Sequence, residues 1–380
     1  MTILEENLER ASATFASPEL WAELDTPCTI IAADIVERNI ARMAAYCRKH
    51  EIALRPHTKT HKAKPLARRQ LEAGAVGLTV AKPGEARVMA ELNAEVLIAY
   101  PSVTRASLDA IREGLAESNV IVALDSLEAV ERLDASLAGC NRPAGVLVDI
   151  DVGLHRTGVQ LPEESVRIAM RVAASSRLRL DGLFCYPGHI WSPPSEQAAE
   201  FAEVERIIHA HIAQWKEHRL EARIVSAGST PSAYQTHLAP SINEIRPGTY
   251  IFNDINTLRG GYCGLHDCAA RILATVISTA VPGQVVIDAG AKTLAADRCI
   301  SAPDSGQGLV VEYPNARITH LSEEHGQVDV AKCTRKPRVG ERVTIVPNHV
   351  CPTINLTDYV WWATPTGLER LMIDARGKVR

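Results

Sequence analysis

Between residues 52 and 250 the chain repeats one pattern eight times, and that repetition constrains its fold most. Short apolar, β-branched runs stand at 52–59, 77–82, 96–101, 120–125, 145–151, 178–187, 223–228 and 243–250. Stretches with helical spacing fill most of the gaps, at 64–71, 83–92, 103–115, 126–137, 163–174 and 196–218. A shorter segment joins the last two runs. Strands alternating with amphipathic helices predict a parallel sheet. Eight such units over about 200 residues predict an α/β fold, a TIM-type (β/α)8 barrel. A doubly wound sheet is the competing topology, but no GxGxxG opens any unit.

The barrel does not account for the whole chain. One strand at 28–34 and one helix at 35–50 precede the repeats. From residue 270 onward helix signals thin out, and strand-like runs follow at 272–279, 284–288, 309–312, 316–321, 341–347 and 359–362. These predict a β-rich C-terminal domain that includes the N-terminal strand. The expected domains are 35–260 for the barrel and 1–34 with 261–380 for the β-rich part. LRGGY at 258–262 breaks the pattern between them.

Composition excludes several function classes. With 46% hydrophobic and 23% charged residues the chain is ordinary for a globular protein. The formal net charge of −4 leaves no basic excess to neutralise a phosphate backbone, so nucleic acid is not an expected partner. No apolar run approaches the roughly 20 residues of a membrane span. The N-terminus MTILEENLERAS is acidic and lacks an apolar leader core. The nine cysteines are scattered, odd in number and form no CxxC pair, which predicts a reducing, cytoplasmic setting.

A barrel carries its chemistry at the C-terminal ends of its strands. Strand one ends in RPHTKTHK, with His57, Lys59, His61 and Lys62. Strand five ends in DIDVGLHRTG, with Asp149, Asp151, His155 and Arg156. Strand six ends in CYPGHIW, with Tyr186, His189 and Trp191. Strand seven ends in SAGSTPS and strand eight carries EIRPGTY. Barrels often bind phosphate with the loops after these last two strands. Ser229, Thr230, Gly248 and Tyr250 supply backbone N–H groups, hydroxyls and a phenol there, although two ordinary Gly/Ser turns would read the same. A lysine at the same mouth points to pyridoxal phosphate, whose aldehyde forms a Schiff base with an amine. Lys59, at the end of the first strand, is that lysine. The competing view is a solvated basic turn, since Lys62 and Lys64 follow.

His349 and Cys351 form the other candidate site. They follow a strand pattern, and in extended chain residues i and i+2 share a face. The pair would project side by side as transition-metal ligands and leave room for water and substrate. A core histidine near a buried cysteine is the alternative. His57 and His61 have the spacing of helical ligands, but their segment reads as strand end and turn.

RPHTKTHK around residue 59, DVGLHRTGV at 151–159, YPGH at 186–189, GSTPS at 228–232, EIRPGTYIFND at 244–254, SEEHG at 322–326 and PNHVCPT at 347–353 occur in one order. Together they resemble the D-threonine aldolase and D-serine dehydratase family. These are fold type III pyridoxal-phosphate enzymes related to alanine racemase. The resemblance runs from about Leu24 to Gly377. It implies Lys59 as the Schiff-base lysine, and Ser229, Thr230, Gly248 and Tyr250 as phosphate ligands. It implies Tyr186 against the coenzyme ring, and His349 with Cys351 as metal ligands. It also implies a homodimer with shared active sites. Arg156 would orient the ring or the substrate carboxylate, or pair with Asp149 or Asp151. His189 is a candidate base, or a residue that positions the ring.

The implied reaction is cleavage of a D-3-hydroxy amino acid to glycine and an aldehyde. Dehydration to a 2-oxo acid and ammonia, as for D-serine or D-3-hydroxyaspartate, is the alternative. Some aldolases of the family carry His-x-Asp at the metal position, so the His-x-Cys here is similar to the dehydratase branch. Thiolate favours zinc over magnesium, with manganese and cobalt as further candidates. A racemase or decarboxylase on the same fold would need no metal pair. A coenzyme-carrier protein would need no β-rich tail. Trp191 and Tyr234 would line a larger pocket, or only pack.

Overall fold

The computed structural model describes residues 21–380. The acidic N-terminal stretch, and with it 1–20 of the N-terminal segment, lies outside the described residues. The chain divides into two compact units, one of Arg42–Gly248 with Gly377–Arg380, the other of residues through Ala41 with Thr249–Arg376.

The first unit holds the eight-stranded parallel sheet. Its strands are β2 (Ala53–Leu54), β3 (Leu78–Val80), β4 (Val96–Ile98), β5 (Val120–Leu124), β6 (Ala144–Asp149), β7 (Leu178–Phe184), β8 (Ile224–Ala227) and β9 (Glu244–Ile245). They run in sequence order around the sheet, and β9 pairs with β2. A parallel bridge between His57 and Thr79 joins the remaining edges, and the Val76 N–H donates to the Leu54 carbonyl at 2.9 Å. The curled sheet is thereby the barrel the repeats predict. Helices α1 (Ala33–Lys49), α2 (Lys64–Glu72), α3 (Pro83–Ala90), α4 (Arg105–Glu117), α5 (Leu127–Ser136), α6 (Pro162–Ala173) and α7 (Ala198–Glu217) alternate with the strands. The division between the units falls inside α1.

Local chemistry explains these boundaries. Every residue of β5 and β6 is buried, as expected for parallel strands covered on both faces. Ser126 caps α5 by accepting the Ala129 N–H, and Thr104 caps α4 by accepting the Ser107 N–H. Proline opens α2, α3 and α6. The expected first and eighth strands are much shorter than 52–59 and 243–250. Pro56 and Pro247 have no N–H to continue a ladder, and beyond them the chain folds into 3-10 turns at Thr58–Thr60 and Thr249–Ile251.

The second unit is a nine-stranded mixed sheet with β1 (Cys28–Ala32) inside it. β1 runs antiparallel to β10 (Ala270–Ser278) and parallel to β16 (Tyr359–Thr364). The rest comprises β11 (Gln284–Ile287), β12 (Leu309–Val310), β13 (Arg317–Leu321), β14 (Gly326–Asp329), β15 (Arg342–Val346) and β17 (Gly367–Met372). β14 and β17 were not expected from the sequence; each is the return strand of an antiparallel pair. Alternate residues of these strands, among them Ile272, Ala274, Val276, Val343 and Ile345, pack into one apolar cluster. Among the described residues no helix is long and apolar enough to cross a membrane.

Candidate active site

Lys59 does not stand at the end of a strand, as the sequence suggests. It is the middle residue of the 3-10 turn Thr58–Thr60, half-buried, four residues beyond Arg55. Its N–H donates to His57 Nδ1 at 3.4 Å. Burial, then the charges of Lys59, Arg246 and His61, hold the His57 imidazolium well below its ordinary range, so the ring is neutral. His61 is also buried and neutral, with its pKa lowered to about 4 by burial. Its Nδ1 accepts the Ala63 N–H at 3.1 Å and its Nε2 meets Gln70 Oε1 at 3.1 Å. Both nitrogens of His61 are thus committed to the fold, and the helical-ligand reading of His57 and His61 fails. Nor is the turn a solvated basic one. Lys62 is buried and paired with buried Glu85 at 2.8 Å.

The loops after β8 and β9 flank this turn. The His57 N–H donates to the Pro247 carbonyl at 3.0 Å. Gly248 lies so close that an added Cβ would stand 2.8 Å from Thr60 Oγ1 and 3.0 Å from the His57 carbonyl. Only glycine fits there, and it brings the β9 loop against the turn that carries Lys59. Ser229 is buried, and its hydroxyl meets that of Ser232 at 2.9 Å. Among the described residues, the backbone N–H groups of Ser229 and Gly248 donate to no backbone carbonyl. Thr230 precedes Pro231 in the same loop. Tyr250, by contrast, belongs to the second unit, buried in the turn Thr249–Ile251.

Carboxylates shape the loop after β6. Asp151 Oδ1 accepts the N–H groups of Gly153 and His155, each at 3.0 Å, and its Oδ2 meets His155 Nδ1 at 2.5 Å. Asp125 Oδ2 accepts the Gly158 N–H at 3.2 Å. The loop so held places the Arg156 guanidinium over the Tyr186 ring, 4.8 Å from its centroid. Asp151 is engaged by His155. His189 stacks on Gly153, where a Cβ would sit 3.0 Å from the imidazole. Its buried Nδ1 has no hydrogen-bond partner among the described residues. Trp191 donates its indole N–H to the Gly188 carbonyl at 3.0 Å, and Tyr234 accepts from Arg42 Nε at 3.2 Å.

In the second unit His349 and Cys351 do meet, but not by strand alternation. His349 is extended and caps the short helix Val350–Asn355, whose second residue is Cys351. A side-chain hydrogen bond joins the two. His349 Nδ1 meets Asp297 Oδ1 at 3.0 Å. Burial disfavours the imidazolium, but the hydrogen bond and negative charge of the Cys351 sulfur and the carboxylates of Asp254 and Asp297 outweigh it and raise its pKa to about 9. Thr249 Oγ1 lies 3.6 Å from Cys351 Sγ. Among the described residues no group of three or more His, Cys, Asp or Glu side chains could hold a metal. The protein thus offers two donors and a carboxylate behind one of them.

Comparison with known proteins decides the family. Residues 31–255 match the model of the alanine racemase N-terminal domain, and residues 269–362 that of a putative serine dehydratase domain. The chain belongs to the alanine racemase-like family of fold-type III pyridoxal-phosphate enzymes. It is 31% identical to the D-threo-3-hydroxyaspartate dehydratase of Delftia sp. (strain HT23), over 87% of this chain and 92% of that one. The crystal structure of D-threonine aldolase from Filomicrobium marinum superposes with a TM-score of 0.85 at 31% identity, covering 94% of this chain and 96% of that one. A C-to-A mutant of D-threo-3-hydroxyaspartate dehydratase, in the metal-free form, gives a TM-score of 0.81 at 27% identity over 92% and 97%. This family member is an enzyme, a lyase.

The residues present fit the coenzyme. A turn-borne lysine, a glycine cradle that any Cβ would fill, uncommitted N–H groups and an arginine stacked on a tyrosine suit a phosphorylated aromatic aldehyde. They also fit a divalent ion of borderline softness, since imidazole and thiol are adjacent and a carboxylate holds the far ring nitrogen. Some site residues were not legible in the sequence. Arg246, buried, donates to Ser226 Oγ at 2.6 Å and to the Cys185 carbonyl at 2.7 Å, with its guanidinium over Phe184. A signal existed in the charged residues of EIR inside an apolar strand. Asp297 carried none.

Proposed function

We propose that this enzyme is a pyridoxal-phosphate- and divalent-metal-dependent lyase of D-3-hydroxy amino acids, cleaving them to glycine and an aldehyde. The observation that carries the metal-dependent lyase reading is the pairing of His349 with Cys351 in a family member that also keeps Lys59 in its buried turn. A coenzyme alone suits racemisation; an added imidazole–thiol pair suits chemistry at a substrate hydroxyl. The relatives, which include an aldolase and a dehydratase of such substrates, support it.

Residues of the barrel unit bind and orient. Ser229, Thr230 and Gly248 hold the phosphate. Tyr186 and Arg156 fix the ring plane. Lys59 is the covalent anchor and moves the proton at Cα. When bound, the coenzyme withdraws electrons from Cα, and a metal ion, zinc before manganese, cobalt or magnesium, supplies Lewis acidity toward the β-hydroxyl. His189 takes the hydroxyl proton. The barrel thus carries the coenzyme and the β-rich domain the metal. The enzyme works as a homodimer with shared active sites in the cytoplasm, in keeping with nine cysteines of which none forms a disulfide.

A second reading, dehydration to a 2-oxo acid and ammonia, is favoured by one feature. The metal pair contains sulfur, as in the dehydratase branch. Product analysis separates the two. Pure protein with pyridoxal phosphate and zinc or manganese is offered D-threonine, D-serine and D-3-phenylserine in turn. Glycine plus aldehyde supports the first reading. Ammonia plus 2-oxo acid replaces it with the second. Turnover that survives exhaustive chelation and Cys351→Ala would sink both.

A further inference from the structure

Asp297 reaches His349 by an unusual path. The short helix Ala291–Leu294 ends at Ala295, whose φ of 61° and ψ of 172° lie where non-glycine residues are rarely found. Such strain persists only where the surroundings enforce it. Two clamps do so here. Asn348, buried and next to His349, donates its Nδ2–H to the Asp297 carbonyl at 3.0 Å and to the Gly306 carbonyl at 2.8 Å. Thr353 donates its hydroxyl to the His349 carbonyl at 3.0 Å, with the Leu294 carbonyl at 3.1 Å. The segment 294–297 is therefore gripped from both sides of His349, and the Asp297 carboxylate arrives 3.0 Å from Nδ1.

We propose that Asp297 is a positioning residue for the metal pair: it holds the Nδ1 proton of His349 and fixes the ring plane, so that Nε2 can donate beside Cys351 once a metal ion takes the place of its proton. This rests on the metal reading above. A carboxylate behind an imidazole ligand both orients it and makes it a stronger donor. The bland alternative is a half-exposed surface ion pair, which contributes little. The clamps argue against it, because a surface pair needs no strained backbone or buried asparagine behind it.

The test is zinc affinity of the coenzyme-loaded protein, stripped of metal and titrated against a chromophoric competitor. Asp297→Ala should weaken zinc binding by about 10- to 100-fold. Asp297→Asn still accepts the Nδ1 proton but lacks the charge, so its loss should be smaller. The coenzyme absorption band and the melting temperature of the metal-free protein should not move in either variant. Wild-type affinity retained in both variants would overturn the role of Asp297 and leave the metal reading standing. A wild-type protein that takes up no zinc or manganese, while binding coenzyme, would overturn the metal reading and this inference with it.

Discussion

Asp149 is the buried acid at the end of β6, and its setting has a measurable consequence. Burial first, and then the charge of Asp125, push its pKa up to about 7 from 3.8; the Thr157 hydrogen bond and the cations Arg246 and Arg156 only partly oppose this. The folded chain therefore keeps this proton to higher pH than the unfolded chain. Stability contributed by the group falls as pH rises from about 4 through about 7. Asp149→Asn removes that dependence. In denaturant titrations at about pH 4.5 and about pH 8, the variant should gain on the wild type at the higher pH. An unchanged difference would contradict it. The sequence placed this acid at a strand end and could say nothing of its proton, because burial and the charges of Asp125, Arg156 and Arg246 come from the ends of different strands. Arg156 is similar. The sequence offered two roles for it, orienting the ring or substrate carboxylate and pairing with Asp149 or Asp151, and the loop delivers its guanidinium to the Tyr186 ring.

At the scale of elements, one carboxylate serves two helices. Asp254 Oδ1 accepts the Thr257 N–H at 3.0 Å, completing a capping box for the short helix Ile255–Arg259. Its Oδ2 accepts the Val350 N–H at 3.1 Å, at the start of the helix that bears Cys351. Asp254→Ala leaves both donors buried without an acceptor. Loss of a cap and of a buried partner together should cost roughly 2–4 kcal/mol in unfolding free energy. A change under about 0.5 kcal/mol would show the cap to be dispensable. Asp254→Asn, with one acceptor oxygen left, should fall between. None of this was visible in the spacing of HVC, which predicted extended chain. Helix α5, in contrast, was legible to within a residue, since Ser126 marks its start chemically. β2 and β9 are shorter than their apolar runs because Pro56 and Pro247, inside those runs, end the ladder.

For the molecule as a whole, the placement of β1 is the most consequential long-range fact. Strand β1 separates β10 from β16 in the nine-stranded sheet, with Ile30 opposite both Arg271 and Trp361. Deleting 28–32 would expose two inner edges that no other described residue is placed to pair. Such a truncation should aggregate or become protease-sensitive, whereas removal of the first twenty residues should not remove any described strand. Limited proteolysis and light scattering check this directly. A monodisperse, protease-resistant deletion product would refute it.

Periodicity and local chemistry are properties of neighbouring residues, so the sequence could specify the alternation of strands and helices, the caps, the turn glycines and the resemblance that singled out Lys59, His349 and Cys351. It could place the N-terminal strand with the β-rich region only as an expectation. Four things came from tertiary contacts alone. They are the bridge closing the barrel at His57 and Thr79, the commitment of His61 and Lys62 to the fold, the helix under Cys351, and the strained path that brings Asp297 to His349. Each depends on groups far apart in the chain meeting in a medium of low polarity, where burial sets proton affinity and a single hydrogen bond decides orientation.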